Sequence, residues 1–244
     1  MEIMCLQTKG GGHVPFTVTA AGQVYKQTAE FVSFGGAISA DLDLRSVEVT
    51  RRIQRAWACF WQYEMEIYDR PSVRLRLSKV RMLKAEVLES LLCGCVTWSP
   101  SKADYDRIRK VHQMLLRCLG WRKRKREDHM LSSANALLRT DSESVETTMR
   151  RRMISFAASW HAWEKIACRG GRCLGRCSGV KATPRGQEWG WMKDLEGDLV
   201  AFGIKSEGWR EAAQKIDRWF RRVEEVAEIF MRKWHEDELS LIHI

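Results

Sequence analysis

An α+β chain is predicted, with a short N-terminal antiparallel β segment and a mainly α-helical bundle after it. Three observations point there. Apolar residues alternate with a period of two over residues 1–38, and from Asp41 onward they recur about every 3.6 positions. At 45% hydrophobic and 30% charged residues over 244 positions, the chain has enough apolar material for a packed core and too much for a disordered one.

The elements follow in order. Ile3-Met4-Cys5-Leu6 reads as a short strand broken by Gly10-Gly11-Gly12. Phe16-Thr17-Val18-Thr19 alternates, Ala21-Gly22 supplies a turn, and Val24-Tyr25 begins the return strand. Phe31-Val32-Ser33-Phe34 ends at Gly35-Gly36, a pair open to backbone conformations closed to other residues. Val49, Ile53, Ala56, Trp57 and Phe60 then fall at helical spacing. Pro71 suits a first helical turn, and Leu77, Val80, Val87, Leu88, Leu91 and Leu92 define the next buried face. Ser99-Pro100 restarts the pattern, which Tyr105, Ile108, His112, Leu115 and Leu119 carry to Gly120. Thr140 and Glu143 have capping-box spacing ahead of Val145, Met149, Met153 and Phe156. Trp209, Ala213, Ile216, Phe220, Val223, Ala227, Phe230 and Trp234 form the cleanest amphipathic stripe. The sum is a bundle of about five helices behind the β segment.

Composition narrows the function classes. No apolar run is long enough to span a bilayer, and Met1-Glu2-Ile3-Met4-Cys5 has neither the basic flank nor the apolar stretch of a signal peptide. An intracellular protein is expected, nuclear or cytoplasmic, with no membrane partner. Eight irregularly spaced cysteines read as reduced thiols in that setting. The net charge of +10 is unevenly placed. Residues 41–152 hold 24 basic and 15 acidic side chains, whereas residues 187–238 hold 9 basic and 13 acidic. A partner with regularly spaced phosphates matches the basic middle, because each neutralised phosphate releases condensed counterions. Solvated helix faces are the plain alternative.

Five phrases carry a resemblance. They are Glu2-Ile3-Met4-Cys5-Leu6-Gln7-Thr8-Lys9; the run Gly22 to Ile38 with Phe31-Val32-Ser33-Phe34-Gly35 inside it; Leu91-Leu92-Cys93-Gly94-Cys95-Val96-Thr97-Trp98; Leu115-Leu116-Arg117-Cys118-Leu119-Gly120-Trp121; and Arg150-Arg151-Arg152 before Met153-Ile154-Ser155-Phe156-Ala157. In that order they resemble the C-terminal part of a reverse transcriptase from a non-LTR (LINE-type) retrotransposon, over about 1–157 and again near 187–234. In that family the catalytic Ala-Asp-Asp turn lies upstream of the first phrase. The resemblance implies that residues 1–38 are the last palm strands and that 41–157 are thumb-like basic helices. The parent would be an RNA-directed DNA polymerase using Mg²⁺, and the partners would be an RNA/DNA template-primer and the missing N-terminal polymerase domains. This chain alone would hold no cofactor, would not polymerise and would contribute backbone binding.

The resemblance makes Phe31, Phe34, Gly35 and Gly36 a primer-grip-like turn, with Ser33 standing for the family's Tyr and Phe34 for its Leu. Cys93 likewise replaces a Tyr, and Arg150, Arg151 and Arg152 match a basic triplet. Residues 158–186 lose the likeness, and a compensated frameshift is predicted there with an irregular structure. Residues 187–238 are expected to form the C-terminal amphipathic helical region. Residues 239–244, Leu-Ser-Leu-Ile-His-Ile, read as the translation of a sequencing-library transposon end.

The residues themselves offer no catalytic constellation. Two-metal phosphoryl transfer needs converging carboxylates, and the pairs present, Asp41/Asp43 and Asp104/Asp106, sit where helix starts are expected and read as caps. His161, Cys168, Cys173 and Cys177 carry zinc-type ligands at a spacing that fits no common zinc knuckle, so no metal is expected. Arg122-Lys123-Arg124-Lys125-Arg126 reads as a phosphate clamp or a nuclear-localisation signal, against a solvated loop. Arg51, Arg52 and Arg55 are candidates for a row tracking a phosphate backbone. Trp57, Trp61, Trp98, Trp219 and Trp234 are expected to anchor the core before they stack on bases. Two other readings stand beside the polymerase fragment: a stand-alone basic helical module that binds nucleic acid or a protein, and a degenerate element without a selected function.

Overall fold

The computed structural model describes residues 2–3, 17–20, 22–28, 30–33, 36–39, 44–74, 78–98, 100–119, 133–169 and 187–240. Its class is α+β, as the change of period predicts. Strands β2 (Val18–Ala20) and β3 (Gln23–Gln27) form the expected hairpin, pairing Ala20 with Gln23. Gly22 sits in the turn at φ +75, where a side chain would be strained. Strand β1 (Glu2–Ile3) departs from the antiparallel expectation and runs parallel to β3. A tight turn makes sequence neighbours antiparallel, whereas β1 is separated from β2 by residues 4–17 in sequence and takes the edge of β3 opposite β2. β4 (Glu30–Ser33) and β5 (Gly36–Ser39) make a separate hairpin.

Helix α1 (Leu44–Tyr63) receives β5 against its side and runs on into a π-helical turn, Glu64–Tyr68. Pro71 lies in the turn after it, not in a first helical turn. The next helix comprises α2 (Val80–Met82), a π-helical stretch Leu83–Leu88, and α3 (Glu89–Leu91). Helix α4 (Lys102–Cys118) begins with a full capping box: Ser101 Oγ accepts the Asp104 N–H at 3.2 Å, and an Asp104 carboxylate oxygen accepts the Ser101 N–H at 3.4 Å. Asp104 is thereby explained by helix initiation, whereas Asp106 lies further along the helix and approaches Arg109 at 3.6 Å.

Helix α5 (Ser133–Thr140) ends at the residue expected to cap its successor. Thr140 Oγ1 instead donates back to the Ala136 carbonyl at 2.8 Å. The cap of α6 (Val145–Arg169) is Ser144, whose Oγ accepts the Thr147 N–H at 3.1 Å. A hydroxyl at the end of one helix has its own i−4 carbonyl within reach, which outcompetes capping the next helix. Because α6 runs to Arg169, residues 158–169 are helical and not irregular.

Helix α7 (Gln187–Ala201) closes with a Schellman motif, Ile204 N–H to Leu199 O at 2.8 Å and Gly203 N–H to Val200 O at 2.9 Å, with Gly203 at φ +68. The C-terminal stripe is split into α8 (Trp209–Ala212) and α9 (Ile216–Ser240), a break that brings both Trp209 and Trp219 into the core, 6.1 Å apart. The described part thus has more helices than the five expected, because propensity patterns do not show where a stripe is interrupted.

Two apolar clusters hold the bundle. One gathers Phe60, Tyr68, Leu83, Leu91, Ile108 and Leu116 from α1 to α4; the other gathers Ile154, Leu195, Leu199, Trp209, Trp219 and Val223 from α6 to α9. Helices α6 and α9 span both. They run antiparallel, since Thr147 meets Met231, Arg151 meets Glu224 and Ile154 meets Trp219. No described helix is long and apolar enough to cross a membrane.

Candidate nucleic-acid interface

Each expected binding residue has a definite environment where it is described. Phe31 lies in β4 opposite Ile38, and Gly36 opens β5 opposite Ser33; Phe34 and Gly35 fall outside the described residues. Arg51, Arg52 and Arg55 do not form one outward row. Successive helix positions turn by about 100°, so Arg52 points inward, 4% exposed, with Glu48 accepting its Nε–H at 2.6 Å. Arg51 also approaches Glu48, at 3.7 Å, and Arg55 alone of the three is exposed. Residues 122–126 lie outside the described part, as do Asp41, Asp43, Cys173 and Cys177.

The basic triplet is occupied by protein carboxylates. Arg150 donates to Asp198 of α7 at 3.1 Å and lies 5.0 Å from the Phe230 ring centre. Arg151 bridges Glu143 at 3.0 Å and Glu224 of α9 at 2.7 Å, and Arg152 pairs with Glu89 of α3. Three consecutive positions on α6 therefore tie it to three neighbouring elements.

Lys84, His112, Glu143, Thr148, Arg151 and Arg152 line one cleft of about 400 Å³ between these helices. Its cations are already met by carboxylates, apart from Lys84, which donates to the Asp141 carbonyl at 2.8 Å. Burial, and then the Lys84 charge, push His112 down from 6.5 to about 4, so it is neutral in the fold at ordinary pH. Its contribution is whole above pH 6.5 and is lost as pH falls through about 4. We expect stability to drop over that window by on the order of 3 kcal/mol from this group. His112→Leu should remove that component, and urea unfolding across the window reads it directly.

Among the described residues no three His, Cys, Asp or Glu side chains converge as a metal site. Cys59, Cys93, Cys95 and Cys118 are free thiols, and burial pushes Cys95 up to about 11, away from thiolate chemistry. The tryptophans divide. Trp219 is 1% exposed, whereas Trp61 is 45% exposed and stacks on Trp57 at 5.7 Å. Phe60 holds the inward position of α1, which turns its neighbour Trp61 out.

The sequence reading missed one cationic surface. Arg218, Arg221 and Arg222 are all exposed on the first two turns of α9, preceded by exposed Lys215. Among the described residues none of the three arginines meets a carboxylate; Arg221 donates to its own helix at the Asp217 carbonyl, 3.3 Å away. Arg218 in the first turn opposes the helix dipole, at a cost of about 0.3–1 kcal/mol. Like charges three and four apart add about 0.2–0.5 kcal/mol per pair. The net acidity of 187–238 concealed this face. The available signal was the spacing 215, 218, 222 on one side of an amphipathic stripe, with the acids Asp198 and Glu224 turned toward α6.

Family profiles, curated proteins and solved structures return no match to this chain.

Proposed function

We propose that this chain is the portion of a non-LTR retroelement reverse transcriptase that follows the catalytic turn, and that it binds the template-primer through the phosphate backbone with little sequence preference. The observation that supports this most is the hairpin of β4 and β5, which carries Phe31 and Gly36: β5 lies directly on α1, the first helix of the segment with the large basic surplus. A hairpin leaning on a cationic bundle suits a role in holding a duplex end. The occupied triplet narrows the contact set to Arg55 and to the five cations at 122–126.

Phosphate-dominated binding makes a quantitative prediction. Between about 50 and 200 mM salt, affinity for an RNA–DNA hybrid duplex should fall by a factor on the order of 10³, and glutamines at 122–126 should flatten that slope. Fluorescence anisotropy measures both. Affinity indifferent to salt would overturn the proposal. Sequencing the source locus upstream gives an independent test: a continuous frame encoding the Ala-Asp-Asp turn is expected.

A further inference from the structure

We propose that the outward face of α9 formed by Lys215, Arg218, Arg221 and Arg222 is a second contact surface for the nucleic-acid phosphate backbone. This rests on the reading that the chain binds nucleic acid.

The segment carrying α7 to α9 is acidic in sum, yet Asp198 and Glu224 are spent on Arg150 and Arg151 of α6. What remains outward on the first two turns of α9 is three arginines beside one exposed acid, Asp217. Those cations repel one another, oppose the helix dipole and, for the three arginines, meet no described carboxylate. An arrangement that weakens the isolated helix is offset when an external polyanion supplies the missing charge.

Geometry fits the same partner. Lys215 immediately precedes α9, Arg218 and Arg222 share one side of it, and the rise from 215 to 222 is about 10 Å along the axis. That matches about three nucleotides of stacked strand at 3.4 Å per step. The face is anchored from beneath, because Trp219, between Arg218 and the Arg221-Arg222 pair, is buried and its Nε1–H reaches the Ile154 carbonyl at 3.4 Å. Arg210, exposed on the preceding helix, lies 5.0 Å from the Trp209 ring centre. A rigid row of cations on a buried aromatic foot contacts phosphates without reordering the chain.

The test uses the full chain and a fluorescently labelled RNA–DNA hybrid duplex. In the R218Q/R221Q/R222Q variant, the slope of log affinity against log salt is expected to shrink by about two to three, with affinity at low salt down about tenfold or more. The R218K/R221K/R222K variant keeps the charge and should stay near the parent. Melting temperature should hold or rise in the glutamine variant, since repulsion has been removed. If that variant melts early, R222Q alone should still lose about one unit of slope. A parent that binds while the glutamine variants keep its slope overturns this inference and leaves the proposed function standing. A parent that does not bind the duplex at low salt overturns both.

Discussion

Replacing Trp219 with alanine is expected to lower the unfolding free energy by about 3–5 kcal/mol, the range for truncating a fully buried aromatic. Its indole is 1% exposed, packs 6.1 Å from Trp209, and donates to the Ile154 backbone carbonyl of α6 at 3.4 Å, so truncation removes core packing and one cross-helix hydrogen bond. Whole domains are stable by only about 5–15 kcal/mol, so the loss should be visible as a large shift in urea midpoint at unchanged slope. Trp61→Ala supplies the contrast. That side chain is 45% exposed and leans on Trp57 and Phe60 at the surface of α1, so its removal should cost within about 0.5–1 kcal/mol. Equal losses for the two variants would mean that the assignment of the two indoles to core and surface is wrong.

That contrast marks where the sequence stops being legible. Hydrophobic period identified α1, α4, α6 and most of the core stripe, because burial of one helix face is written into every third or fourth residue. The Gly22 hairpin was equally plain, since only a few residue types satisfy its turn. Adjacent aromatics are different. Phe60 and Trp61 are alike in composition and 100° apart on the helix, and the neighbouring elements decide which of them enters the core. Cations behave the same way. Arg52, Arg150, Arg151 and Arg152 look like binding residues when counted as charges, but their partners at Glu48, Asp198, Glu224 and Glu89 include side chains tens of residues away. Net charge per segment therefore counts cations at the triplet that carboxylates already meet, and hides the exposed arginines of α9.

The second large effect separates those roles for Arg150. The replacement Arg150→Met keeps an apolar side chain near Phe230 and deletes the partner of Asp198. Burial has already raised Asp198 from 3.8 to about 6, against the pull of Arg150 and with Asp194 adding to the rise. Its folded value lies above its unfolded one, so its stabilising contribution is whole below about pH 3.8 and is lost as pH rises through about 6. Without Arg150 the folded value climbs further, and the carboxylate becomes more costly wherever solvent would ionise it. The deficit of the variant is expected to reach about 3 kcal/mol near pH 8, at the low end for a broken buried pair because Arg150 is a quarter exposed. It should shrink as pH falls toward about 5, where Asp198 takes up a proton and no longer needs a cation. His112 titrates in the opposite sense over an overlapping window, but it is present in both proteins and cancels in their difference. Urea unfolding of the two at matched pH values measures that difference. A deficit independent of pH would assign the loss to packing on Phe230, and would release Arg150 from the structural role that keeps it from nucleic acid.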